Sequence, residues 1–350
     1  MNPCSFCAIG VSFFLEGTLN ISNLEEEFTM TIVRLGYVAM SVELQNCSPS
    51  KTMTFAQFEQ LKDREAAIRK LERIATTNLE HCLRLLKHNT ANEIHFFRLS
   101  SRLIPLANHE ELSDWDYFTP LKEPLNKLAD YIHAHPSRID FHPDHFVVLN
   151  THQKETLKNS IQTLSMHKGL LKGMDIDPEH RCVIHVGGGY EDKEKALESF
   201  IHNWAYISQS IQQMIMLEND DTTFTMNETL YLCEKLGIPM VFDYHHHLAN
   251  HEEEDWEKHW ERVISTWSQS KLPIKMHISS PRSEKEFRAH ANYVDPDLFL
   301  GFLDRIKGSI PEIYCMIEAK QKDAALFRLM DDMQGREGVT IIDKSSFEIR

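Results

Sequence analysis

The chain has 350 residues, 42% hydrophobic and 25% charged, an ordinary globular composition with ample length for a large core. No apolar run approaches the ~18 residues a membrane helix needs, which excludes an integral helical membrane protein. With 37 basic against 52 acidic residues, the net charge of −15 excludes a protein that coats nucleic acid by bulk charge, while a local cationic site made by bound metal stays open.

Residues 1–30 read as a poorly ordered extension or an upstream start-site choice. Ile9–Leu15 is a short apolar patch, yet no Lys or Arg precedes Arg34, so a secretory signal is not expected. Cys4 and Cys7 form a CxxC without a second pair at zinc-finger spacing. The seven scattered cysteines suit reduced thiols and a cytoplasmic protein.

From Ile32 onward, short apolar runs alternate with helix-length amphipathic segments. Strands are expected at Ile32–Val38, His95–Leu99, Arg138–His142, Cys182–Val186, Met214–Asn219, Pro239–Tyr244, Pro273–Ser279 and Ile313–Ala319. Between them lie helical patterns at Phe58–Lys87, Leu121–His135, Lys154–Lys172, Asp192–Ser210, Met226–Leu236, Glu253–Ser268, Pro296–Ile306 and Lys320–Met333. Eight strands and eight helices in alternation predict an α/β fold, a (β/α)8 TIM barrel, as one domain over residues 31–350. A doubly wound open sheet is disfavoured by the count and by the lack of a dinucleotide loop. Gly187-Gly188-Gly189 lacks that spacing and reads as a flexible turn.

The 20 histidines matter because of where some of them fall. In such barrels chemistry sits at the C-terminal ends of the strands. The third strand ends at His142, the fourth carries His185, and the fifth ends in Glu218. The sixth ends in Asp243 followed by His245-His246-His247. The seventh carries Lys275 and His277, and the eighth ends at Glu318. Any one of these could be a hydrogen-bonded core residue or the neutraliser of a nearby cation, but six strands ending this way point to a carboxylate–imidazole site for several metals. Such ligands suit Mn²⁺, Mg²⁺ or Zn²⁺. Lys275 and His277, two apart, share a strand face. Alternation cannot choose among the three consecutive histidines.

At these residues the sequence resembles the UV damage endonucleases, relatives of the endonuclease IV and xylose isomerase-like barrels. The resemblance runs from about Arg34 to about Asp323. It is carried by Leu35-Gly36-Tyr37, by Phe97-Arg98-Leu99-Ser100-Ser101 leading to Asn108-His109, by His142-Pro143 and by His185-Val186-Gly187-Gly188. It continues through Leu217-Glu218-Asn219-Asp220, Asp243-Tyr244-His245-His246, Lys275-Met276-His277, His290 and Ile317-Glu318-Ala319-Lys320.

The resemblance implies nicking of double-stranded DNA just 5′ of a UV photoproduct, leaving a 3′-hydroxyl and a 5′-phosphate; a monomer is the default expectation for an enzyme that must clasp a duplex, and no membrane partner is expected. It implies up to three divalent ions, with Mn²⁺ first. Glu218, Asp243, His277 and Glu318 would hold one. His142 and His185, with Glu218 bridging, would hold a second, and His246 with His290 a third. Lys275 matches a lysine carried in carboxylated form, which would be an anionic ligand. Tyr37 and His109 match residues that contact the scissile region. Two positions depart from the family pattern. His145 and Phe146 stand where a lesion-wedging Gln and Tyr are usual, and Ser41 stands for an Asn. An abasic-site endonuclease of the endonuclease IV type, or a sugar isomerase or epimerase, would use a similar rim.

Overall fold

A computed structural model of the chain describes residues 29–252 and 255–350. The extension expected at residues 1–30, except Thr29 and Met30, and the Cys4/Cys7 pair lie outside them. Among the described residues, eight strands run parallel: β1 Thr31–Val38, β2 Phe96–Arg98, β3 Arg138–Asp140, β4 Cys182–His185, β5 Ile215–Glu218, β6 Met240–Asp243, β7 Ile274–Ile278 and β8 Glu312–Ile317. The pairing order is β3-β2-β1-β8-β7-β6-β5-β4. The ring closes where Phe141 bridges Cys182. There the Phe141 amide donates to Arg181 O at 2.8 Å and the Val183 amide to Phe141 O at 3.0 Å. The fold is a (β/α)8 barrel, and the strand residues are nearly all buried because helices cover the sheet.

The helices are α1 Phe55–Glu59, α2 Arg64–Ala91, α3 Phe118–Ala134, α4 Lys154–Gly173, α5 Lys193–Trp204, α6 Gln209–Gln212, α7 Met226–Leu236, α8 Tyr244–Ala249, α9 Trp260–Thr266, α10 Pro296–Ile306 and α11 Lys322–Met333. The pattern read as one helix over Phe58–Lys87 is two, because Thr54 caps α1 and Asp63 caps α2 afresh, accepting from the amides of Glu65 and Ala66. The segment Asp192–Ser210 likewise divides into α5 and α6. The helix expected from Glu253 begins with a 3₁₀ turn, Trp256–His259.

The sequence pattern did not indicate a C-terminal hairpin, β9 Val339–Asp343 and β10 Ser346–Ile349. β10 pairs antiparallel with Thr31–Arg34, along the N-terminal half of β1, while β2 pairs with Gly36–Val38. Gly36 admits that approach, since a Cβ there would lie 2.5 Å from Phe96 O. The hairpin strands are short and β9 is half-exposed, so neither periodicity nor an apolar run marks them.

His167 of α4 is sealed against Phe141, ring centroids 4.8 Å apart, and donates through Nδ1 to Thr163 O at 2.8 Å. Burial pushes its imidazole down to about 4. The folded value lies below the unfolded one near 6.5, so its stabilising neutrality is complete above about pH 6.5 and is lost as pH falls towards 4. In chelator, urea unfolding of the wild type should show about 2 kcal/mol less stability at pH 5 than at pH 7 from this residue. His167→Gln should flatten that difference, and an unchanged slope would show that His167 is not its source.

Candidate metal centre

The strand ends bring one carboxylate to the centre of a histidine ring. Glu218 is the last residue of β5 and is fully buried. Its Oε2 lies 2.9 Å from His142 Nε2 and 3.8 Å from His185 Nε2. Its Oε1 lies 2.9 Å from His277 Nδ1 and 3.4 Å from His246 Nδ1. Glu318, just past β8, reaches His277 Nδ1 at 3.3 Å and His290 Nδ1 at 3.9 Å. Asp243 ends β6 and lies 3.7 Å from His246 Nδ1.

These residues form three sets able to hold an ion: His142, His185 and Glu218; Glu218, His277 and Glu318; Glu218, Asp243 and His246. Within each set the ligand atoms lie within 4.8 Å of one another, and Glu218 belongs to all three. His290 approaches the group through Glu318.

Asp243 shows how the backbone selects among three adjacent histidines. Its Oδ1 accepts from the His246 amide at 2.7 Å and so starts α8 at Tyr244. A helix turns successive side chains by about 100°, so the three rings fan apart. His246 faces Glu218. His245 pairs instead with Ser279 Oγ at 2.6 Å and Phe287 O at 2.7 Å.

The electrostatics are those of a site arranged for cations. Burial alone would raise the Glu218 carboxyl, but the surrounding imidazoles of His277 and His185 and the hydrogen bonds from His142 and His246 hold it well below the usual range. Burial likewise works against the Glu318 carboxylate, and Arg98 keeps it ionised. Asp243 is pushed up to about 7 by burial, and His277 down to about 4 by the same cause. Asp243 Oδ2 and His277 Nε2 are buried without a hydrogen-bond partner. Such orphans are costly in a protein interior, and an ion accepting their lone pairs would satisfy both. Carboxylates with neutral imidazoles and no thiolate fit Mn²⁺, Mg²⁺ or Zn²⁺.

With this geometry the relatives can be placed. The family profile described as "UV-endonuclease UvdE" matches residues 33–349. The UV DNA damage endonuclease of Halalkalibacterium halodurans is 51% identical over 317 residues, covering 90% of this chain and 98% of that protein. This chain belongs to the UV-endonuclease UvdE family. The corresponding protein of Bacillus cereus strain G9842 is 43% identical over 311 residues, covering 88% and 96%. Among solved structures, SacUVDE superposes with a TM-score of 0.73 at 30% identity, covering 84% of this chain and 95% of that one. Endonuclease IV from Thermus thermophilus gives 0.51 at 14% identity, covering 85% and 98%, which shows a shared fold.

Not every residue that the UvdE resemblance singled out reaches the ligand group. Tyr37 is fully buried and faces the helices. Val33, Leu35 and Tyr37 share one face of β1, and the Tyr37 hydroxyl donates to Asn89 Oδ1 of α2 at 2.6 Å. Lys275 lies deeper in the barrel than the ligands. Its Nζ is 3.0 Å from Asp140 Oδ2, both side chains are fully buried, and burial pushes the ammonium down to about 8. Unmodified, its ammonium is therefore the counter-ion of Asp140. The Ser41 hydroxyl is already engaged. It donates to Asp323, whose other oxygen accepts from the Val42 amide at 2.8 Å.

His109 and Phe146 do share a place, a cleft of about 420 Å³ lined by none of the metal ligands, whereas His145 lines a separate cavity of about 260 Å³ together with His185. His109 stacks on Phe55 with ring centroids 3.7 Å apart. Phe146 is 73% exposed and rests against His145 at 4.1 Å. The glycine run forms a hydrogen-bonded turn. Gly187 adopts φ 120°, and a Cβ there would lie 2.3 Å from Asn150 Oδ1. The Asn150 amide donates to Gly188 O at 2.6 Å, holding the turn.

Three supporting residues went unread in the sequence. Arg98 bonds Glu318. Asp140 gathers Lys275, Arg138 and Arg181. The Asn219 side chain pairs with the Asp243 backbone, accepting at 2.9 Å and donating at 2.9 Å. Arg98 was legible by the rule that marked Glu218, since it is a charge in an otherwise apolar strand.

Proposed function

We propose that this UvdE-family protein hydrolyses the phosphodiester immediately 5′ of cyclobutane dimers and 6-4 photoproducts in double-stranded DNA, leaving a 3′-hydroxyl and a 5′-phosphate. It uses up to three divalent ions, with Mn²⁺ as first choice. The observation that carries this reading is the Glu218-centred ligand group, in which His185 Nδ1, Asp243 Oδ2 and His277 Nε2 are buried without partners, with the exposed Phe146 on the same loop as His142. His142, His185 and Glu218 would hold one ion. Glu218, Asp243, His277 and Glu318 would hold a second, and His246 with His290 a third.

Bound divalent ions supply Lewis-acid neutralisation of the phosphate and hydroxide near neutral pH. The chain's own residues do the rest. Arg98 keeps Glu318 anionic, and Asn219 fixes the end of β6 so that Asp243 points inward. His109 and Phe146 line the cleft that receives the distorted strand. Phe146 fills the gap left where a photoproduct weakens stacking, which is least costly at a damaged step. Cations in the rim also give an otherwise acidic protein a positive cleft for the phosphates.

The test is nicking of UV-irradiated and unirradiated supercoiled plasmid with Mn²⁺, then with chelator. Damage-dependent nicking that chelator abolishes is the expected outcome, followed by end-mapping on a duplex with one defined lesion beside an abasic duplex. Equal nicking of both plasmids, or nicking that survives chelator, would overturn the reading.

A further inference from the structure

The loops that carry the metal ligands also carry a second exposed aromatic that the site described above does not use. Tyr190 follows Gly187-Gly188-Gly189 on the loop after β4. It is 53% exposed, and its backbone is left-handed at φ 50°. A bulky residue there is uncommon, and such outliers persist where surrounding structure enforces them. The ring lies over Gly188, 3.5 Å from a Cβ placed there. It also packs on His152 of the loop after β3, ring centroids 4.9 Å apart.

His152 also lines a groove of about 950 Å³ between α4 and α5. Lys154, Lys158 and Lys195 line it, with Glu198 as the acidic lining residue. Lys158 lies 3.6 Å from Glu155 and Lys195 lies 3.1 Å from Asp192. Both pairs are solvent-exposed, so they are weak and a phosphate can compete for either lysine. Three lysines behind an exposed aromatic outnumber Glu198 along the groove, the charge that a phosphodiester strand would meet.

We propose that Tyr190, His152 and the α4–α5 groove bind the DNA flanking the lesion. Tyr190 packs on a sugar or base face, and Lys154, Lys158 and Lys195 meet successive phosphates. This rests on the DNA-nicking reading above and adds a second contact to it, outside the ligand group.

The test uses the Mn²⁺-loaded protein and a duplex of about 30 base pairs carrying one cyclobutane dimer, with a non-hydrolysable linkage at the nick position. Tyr190→Ala should weaken binding about tenfold with metal content unchanged, and Tyr190→Phe should restore it, since the ring makes the contact. The triple variant Lys154→Ala, Lys158→Ala, Lys195→Ala should lower the slope of log Kd against log salt by about 2 to 3, roughly 0.9 for each phosphate lost. Thermal melting of each variant guards against misfolding. A wild type that binds this duplex and nicks the same duplex with an ordinary linkage, alongside variants of unchanged affinity and salt slope, would overturn the groove alone. A wild type that does neither would overturn the nicking reading and this inference with it.

Discussion

Glu218→Gln should lower metal loading and nicking together. The substitution keeps the shape of the side chain and removes one charge, the anion common to all three ligand sets. His142 and His277 each lie 2.9 Å from its oxygens, so both lose an anionic partner at once. Divalent charge brought into a buried ring of imidazoles without that carboxylate bears an uncompensated desolvation cost. Elemental analysis of the variant should find at most one ion per chain. Nicking of irradiated plasmid should fall by roughly 10²–10³-fold, the scale of losing one preorganised charge-stabilising group. Circular dichroism in chelator should show the same fold as wild type, because the barrel strands on either side pair through the backbone. Full metal content with retained nicking would show that Glu218 bridges nothing.

Phe146→Ala should lose discrimination rather than metal. The ring is 73% exposed and packs on the neighbouring His145, so little folding energy depends on it. An aromatic side chain that stacks in DNA contributes about 1–3 kcal/mol per base, and the preference for damaged over intact duplex should fall by about tenfold or more. Metal content and melting temperature should stay at wild-type values. Phe146→Tyr restores the hydroxyl usual in the family and should keep the preference. If the alanine variant discriminates as the wild type does, the ring is ordinary loop packing and lesion choice lies elsewhere in the cleft.

The two expectations rest on different links between sequence and structure. Glu218 stood out in the sequence because a carboxylate within Ile215–Glu218, an otherwise apolar strand, is tolerated only with partners. Phe146 stood out through family resemblance, and its exposure became evident only once the loop after β3 was placed. Tyr37 shows the opposite case. Its motif suggested contact with the scissile region, yet the structure puts it with Val33 and Leu35 on the face of β1 that packs on α2.

The order of residues along the chain was enough to specify the barrel and its chemical rim. Apolar runs of strand length alternating with amphipathic helices admit few packings, and parallel strands place all their C-terminal ends on one side. Residues such as His185, Glu218, Asp243 and Glu318 therefore had to meet at that rim. Which neighbours met in detail depended on how distant segments pack. Packing turned His246 towards Glu218 and His245 towards Ser279, because Asp243 caps α8 and a helix fans three consecutive rings apart. It paired Lys275 with Asp140, although Lys275 shares a strand face with His277, because two residues along a strand is one layer deeper in the barrel. It set the β9–β10 hairpin on β1, a pairing of residues more than 300 apart that no local pattern encodes. Periodicity reports which face a residue takes, whereas the partner on that face is fixed only when distant segments pack against it.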